Sequence, residues 1–151
     1  MRRTDESIDV RGEDPIRVVL AEDHAEFRLG LKEMLATDGG IEVVGEAENG
    51  AQAVALAREV RPDVIILDLM MPVMEGREAL GLILREVSPP PGIVILTMHD
   101  QPHLRRELMR MGASAFLAKS ASLAEVIGAV KGSRPMRTPL EGGSGEAPPA
   151  S

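Results

Sequence analysis

Five polar residues stand where short apolar runs give out: Glu22 and Asp23 after IRVVLA, Asp68 after VIIL, Thr97 after IVIL, and Lys119 two residues past Leu117 of AFL. If the three carboxylates meet, they repel, and an unpaired one holds its proton more tightly. A hard divalent cation relieves that repulsion, and Mg2+ with oxygen ligands is the natural choice. The expected direct ligands are Asp23 and Asp68, with a third from the backbone carbonyl of Met70; Glu22 acts through water or shapes the site. A carboxylate can also serve as a nucleophile toward phosphorus. Charge then builds on the phosphoryl oxygens, so catalysis consists mostly of positioning and neutralisation. The cation covers one oxygen, the Lys119 ammonium a second and the Thr97 hydroxyl a third. Singly, each of these residues has a plainer role as cap, turn residue or solvated amine. Their joint occurrence at the ends of four runs points to chemistry.

Convergence depends on the elements that carry them. The β-branched runs Ile16–Ala21, Ile41–Gly45, Val64–Leu67, Ile93–Leu96 and Ala115–Leu117 read as five strands. Each is followed by a stretch with helical spacing: Phe27, Leu31, Met34, Leu35; then Ala53, Leu56, Ala57, Val60; then Leu80, Ile83, Leu84, Val87; then Leu104, Leu108, Met111; then Leu123, Val126, Ile127, Val130. Asn49 with Gln52, and Ser122 with Glu125, have capping-box spacing; Pro102 suits a first helical turn. Strands alternating with helices predict an α/β fold, a parallel sheet covered on both faces. Ligands of such sheets bind at the carboxyl ends of the strands, where the five polar residues lie. Glu46 ends the second strand, further from this group.

Composition sets outer bounds. With 151 residues the chain suits one domain with a real core. It has no Cys, so thiolate chemistry is excluded. A net charge of −7 opposes a broad nucleic-acid footprint or adhesion to an anionic membrane. No run approaches a membrane span and no secretory signal opens the chain, so a cytoplasmic protein is expected. Phe27 and Phe116 are the only aromatics, which makes the core aliphatic and removes base-stacking platforms. Residues 1–14 are expected to be a flexible leader, 15–131 the folded domain, and 132–151 a disordered tail rich in Gly and Pro.

From Ile16 to Lys131 the sequence resembles the receiver domain of bacterial response regulators. VVLAEDH resembles the strand with the acidic pair, PDVIILDLMMPVMEG the phosphoacceptor strand and its loop (Asp68, Pro72, Gly76), IVILTMHD the strand with the switch hydroxyl, and GASAFLAKSA the strand with the essential lysine. The resemblance implies a flavodoxin-like, doubly wound sheet of order 2-1-3-4-5 with five helices. It makes Asp68 the acceptor of a phosphoryl group from a histidine kinase or phosphotransfer protein, with Mg2+. Thr97 and Phe116 become a coupled switch, the Phe116 ring rotating inward on phosphorylation. Met70 and His99 stand where the family tunes the lifetime of the phosphoryl group. The finer resemblance, through EDHAEFRLGLKEML and LTMHD, is to the NarL/FixJ type, which usually carries a DNA-binding domain; no direct DNA binding is expected of this chain. The resemblance implies output to a protein target or a homodimer, through either the face of the fourth helix, fifth strand and fifth helix or that of the first and last helices.

Several positions depart from the family pattern. Ser120 follows Lys119 where many receivers have Pro, and Met98 is larger than the small residue often found after the switch hydroxyl. A Mg2+-dependent aspartyl-phosphate phosphatase would need a second Asp two residues past the nucleophile, and that residue is Met70; a switch is therefore expected rather than an enzyme. His24 and His103 read as solvent-facing residues, and Arg105, Arg106 and Arg110 as a solvated basic face.

Overall fold

The computed structural model describes residues 14–135; the expected leader (1–14) and tail (132–151) lie for the most part outside them. The elements are β1 (Ile16–Ala21), α1 (Ala25–Leu35), β2 (Ile41–Ala47), α2 (Gly50–Val60), β3 (Val64–Leu67), α3 (Gly76–Glu86), β4 (Gly92–Thr97), α4 (Pro102–Met111), β5 (Ala115–Ala118) and α5 (Leu123–Ser133). The five strands form one parallel sheet in the order β2-β1-β3-β4-β5. None of the helices among the described residues is long and apolar enough to cross a membrane.

Strand alternation sorts the apolar residues into two cores. Val19, Ala21, Ile65, Leu67, Ile93 and Ile95 point to one side, where they meet Ala53 and Ala57 of α2, Leu80 and Ile83 of α3 and Leu108 of α4. Val18, Leu20, Val64, Ile66, Val94 and Leu96 point to the other, against Leu31 and Leu35 of α1 and Val126 and Val130 of α5. Successive side chains of a strand face opposite ways, so a run apolar throughout serves both layers. The expected helical face of α1 holds except at Met34, which is exposed; Met111 at the end of α4 is also largely outside.

Ser122 and Glu125 form the expected reciprocal capping box. Asn49 caps α2 through the Gln52 N–H, but the Gln52 side chain reaches back to the Glu48 N–H instead. β2 runs on to Ala47, beyond the expected end at Gly45, because an irregularity opposite Val18 and Val19 lets pairing with β1 continue. The last turn of α5 extends to Ser133, two residues past the expected boundary. It lies so close on Gly92, the first residue of β4, that a Cβ there would meet the Ser133 carbonyl oxygen at 2.0 Å. The cis peptide found among the described residues joins Ser88 and Pro89; Lys119 and Ser120 are joined in trans.

Candidate functional site

Sheet register determines which strand ends are neighbours. Ala21 pairs with Leu67, so Glu22 and Asp68 leave the sheet side by side; the Asp68 N–H donates to the Ala21 carbonyl at 3.0 Å. Leu67 pairs with Ile95, which sets Thr97 just beyond Asp68. Thr97 pairs with Ala118, and its carbonyl accepts the Lys119 N–H at 2.8 Å. Glu46 stays apart, held by Arg28 at 3.0 Å and Lys32 at 2.8 Å; these two cations keep its carboxyl below the usual range against a smaller opposing effect of burial.

At the centre, two carboxylates share one amine. Lys119 Nζ lies 2.7 Å from Glu22 Oε1 and 3.4 Å from Asp68 Oδ2. Glu22 and Asp68 are each only 4% exposed. Burial, then the Glu22 charge, raise the Asp68 pKa above the ordinary carboxylate value, and Lys119 and the Met70 N–H offset this only in part. Burial disfavours the Lys119 ammonium, but the Glu22 hydrogen bond and the two carboxylate charges outweigh it and raise the Lys119 pKa. The Glu22 side chain is the nearest partner of Lys119 and accepts the His24 N–H at 2.9 Å.

Asp23 is exposed at the rim. Glu22, Asp23 and His24 each offer a ligand atom within 4.8 Å of the others. Hard oxygens predominate in this set, and a buried pair of carboxylates shares one cationic side chain; both features suit Mg2+. His24 is solvent-facing, as expected, with Nδ1 3.8 Å from Glu22.

Thr97 is fully buried. Its hydroxyl oxygen accepts the His99 N–H at 3.1 Å, and its own proton has no acceptor among the described residues. Met70 has a half-exposed side chain and an N–H 3.4 Å from Asp68 Oδ1. Met70 and His99 line one recess of about 270 Å³ beside the acidic centre, together with Leu69, Glu75, Arg77 and Gln101. The loop behind Asp68 is tightly held: Gly76 donates its N–H to the Leu69 carbonyl at 3.0 Å, and Gly50 donates to the Met74 carbonyl at 3.0 Å. Val73 at its tip takes the left-handed conformation, with φ of 69°, an unfavourable one for a β-branched residue.

Sequence reasoning missed two contacts. Phe27 lies under Lys119, with the ammonium 4.8 Å from its ring centroid; helical spacing marked it only as one residue of an apolar face. Arg105 is more than part of a solvated basic face. Its guanidinium stacks on Phe116 at 4.9 Å, donates to the Phe116 carbonyl at 3.0 Å and pairs with Asp100 at 2.9 Å. Under that cap Phe116 is 3% exposed.

The balance of charges has a measurable consequence. Because the folded state raises the Asp68 pKa, it binds that proton more tightly than the unfolded chain, so the charged form opposes folding above the ordinary carboxylate pKa. In metal-free buffer Asp68→Asn is expected to raise the thermal midpoint at neutral pH by a few degrees, the shift that ~1 kcal/mol produces in a domain of this size. The gap between variant and wild type should close as pH falls into the ordinary carboxylate range, where calorimetry would follow it.

The family described as response regulator receiver domain matches residues 18–131. The transcriptional regulatory protein YdfI of Bacillus subtilis is 42% identical over 106 residues, covering 70% of this chain and 49% of YdfI. The transcriptional regulatory protein LiaR of the same organism is 40% identical over 116 residues, covering 77% and 54%. The chain thus spans about half the length of these relatives. Among solved structures, the signal receiver domain of NarL from Mycobacterium tuberculosis superposes with a TM-score of 0.74 at 34% identity, over 79% of this chain and 95% of that one. Register, site and family match together show that the chain belongs to the response regulator receiver domains of two-component signalling, with the flavodoxin-like fold of that family.

Proposed function

We propose that Asp68 accepts a phosphoryl group from a sensor histidine kinase or phosphotransfer protein and thereby switches a partner-binding surface. The observation that carries this reading is the buried Asp68 with Glu22 beside it and the Lys119 ammonium 3.4 Å away. An Asp68 carboxylate oxygen attacks phosphorus, the bond from phosphorus to the donor's imidazole nitrogen breaks, and that nitrogen keeps the electron pair. Lys119 stands ready to neutralise one phosphoryl oxygen, and the uncommitted Thr97 proton to serve another. Asp23, Asp68 and the Met70 carbonyl would hold Mg2+, with Glu22 supporting. When bound, Mg2+ supplies positive charge against the phosphoryl oxygens. Met70 and His99 flank the acceptor and set how water reaches it.

In this reading the receiver spans residues 15–131, with α5 finishing just beyond, and works as a cytoplasmic switch rather than a turnover enzyme. Thr97 and Phe116 carry the change outward. Since Arg105 covers Phe116, the change would pass through the β4–α4 loop and the Asp100–Arg105 pair. The output is a protein target or a homodimer through the α4-β5-α5 or α1/α5 face; the acidic chain does not itself contact DNA. Relatives named as transcriptional regulators make gene control the field in which such a target would act.

Incubation with acetyl phosphate, with and without Mg2+, tests this. Intact mass should show one added phosphoryl group on the wild type only when Mg2+ is present, and none on Asp68→Asn. Equal labelling of the two proteins would remove Asp68 from its role.

A further inference from the structure

We propose that Phe27 is a positioning residue for Lys119, its ring face holding the ammonium in the dry space between Glu22 and Asp68. The inference rests on the reading of Asp68 as phosphoacceptor. Among the described residues Lys119 Nζ contacts Glu22 Oε1 at 2.7 Å, Asp68 Oδ2 at 3.4 Å, and the Phe27 ring with its centroid at 4.8 Å. Its side chain is 13% exposed, so little water substitutes for any of them. Phe27 belongs to the first turns of α1 and packs, partly buried, against the apolar layer that includes Leu31, Leu35 and Val126.

The chemistry of the three neighbours differs. A carboxylate binds an ammonium through short, directed hydrogen bonds and would hold it at one point. A ring face attracts a cation through its quadrupole over a broad area. Lys119 sits nearer Glu22 than Asp68, yet it must serve an oxygen carried by Asp68. The ring lets it move across that gap without losing its third partner. A leucine at position 27 would fill the space and attract nothing.

The test uses acetyl phosphate labelling at saturating Mg2+, with the maximal rate separated from the half-saturating concentration of the donor. Phe27→Leu is expected to lower the maximal rate about fivefold, or ~1 kcal/mol at 1.36 kcal/mol per tenfold, while Phe27→Tyr keeps the wild-type rate. Site-specific replacement of Phe27 by phenylalanines of increasing fluorine content keeps the ring's shape and weakens its negative face. The rate should fall stepwise along that series with the thermal midpoint unchanged, and the series decides the matter even if Phe27→Leu folds poorly. Fluorinated variants that all label at the wild-type rate would overturn the inference and leave the role of Asp68 standing. A wild type that takes no label removes the parent reading, and this one with it.

Discussion

Lys119→Met is expected to destabilise the metal-free domain by roughly 3 kcal/mol, measured by chemical denaturation at neutral pH. The substitution keeps most of the bulk and removes the one amine that both Glu22 and Asp68 share. Two carboxylates, each nearly free of solvent, are then left unpaired, which is the costly way to break a buried ion pair. Two further signs identify the cause. Asp68→Asn added to Lys119→Met should recover part of the loss, because one of the two orphaned charges is gone. Lowering pH should also narrow the gap to wild type, since the Asp68 carboxyl, with its raised pKa, takes up a proton preferentially in the folded state. In the wild type the raised Lys119 pKa means that its stabilising contribution is complete at neutral pH. It is lost only as pH climbs through the folded-state value, above the ordinary lysine range.

Gly76→Ala should be nearly as damaging for a different reason. A Cβ at position 76 would stand 2.1 Å from the Asp68 carbonyl oxygen and 2.8 Å from Leu69 Cα, both backbone atoms that cannot swing aside. Helix propensity favours Ala in α3, so the steric effect opposes and should exceed it. Destabilisation of about 2–3 kcal/mol is expected. Phosphoryl uptake should fall by on the order of a hundredfold, because the loop that aims Asp68 must move by a fraction of its contact distance. Gly128→Ala is the matched control. It lies in α5 with nothing within 4 Å of the added methyl, and it should stabilise by about 0.5–1 kcal/mol. Denaturation curves and acetyl phosphate labelling of the two variants separate crowding at the loop from a general response to losing glycine.

Much of this was legible in the sequence, for identifiable reasons. Doubly covered strands are apolar along their interiors, so VVLA of β1 and VIIL of β3 mark strand interiors cleanly, and the first polar residue after each marks its carboxyl end. That is enough to nominate Glu22, Asp68 and Thr97. β2 was less legible because Gly45 and Glu46 look like a strand's end, while pairing with β1 carries the chain on to Ala47. Distances across the fold leave no local trace. Nothing near Phe27 announces an ammonium carried ninety-two residues later in the chain, and nothing near Arg105 distinguishes a cap on Phe116 from one more solvated cation. The partition of Lys119 between Glu22 and Asp68 is likewise a matter of tenths of an ångström, fixed by register and by the β5–α5 turn.

The contact between Gly92 and Ser133 lies at the opposite end of β4 from Thr97. Five steps along an extended strand span about 17 Å, too far for the acidic rim to touch the last turn of α5. With its terminal turn seated on backbone and no slack for even a methyl, α5 has a fixed end at that seat. A displacement beside Lys119 would reach that end only through the body of the helix, where Val126 and Val130 are buried against the sheet.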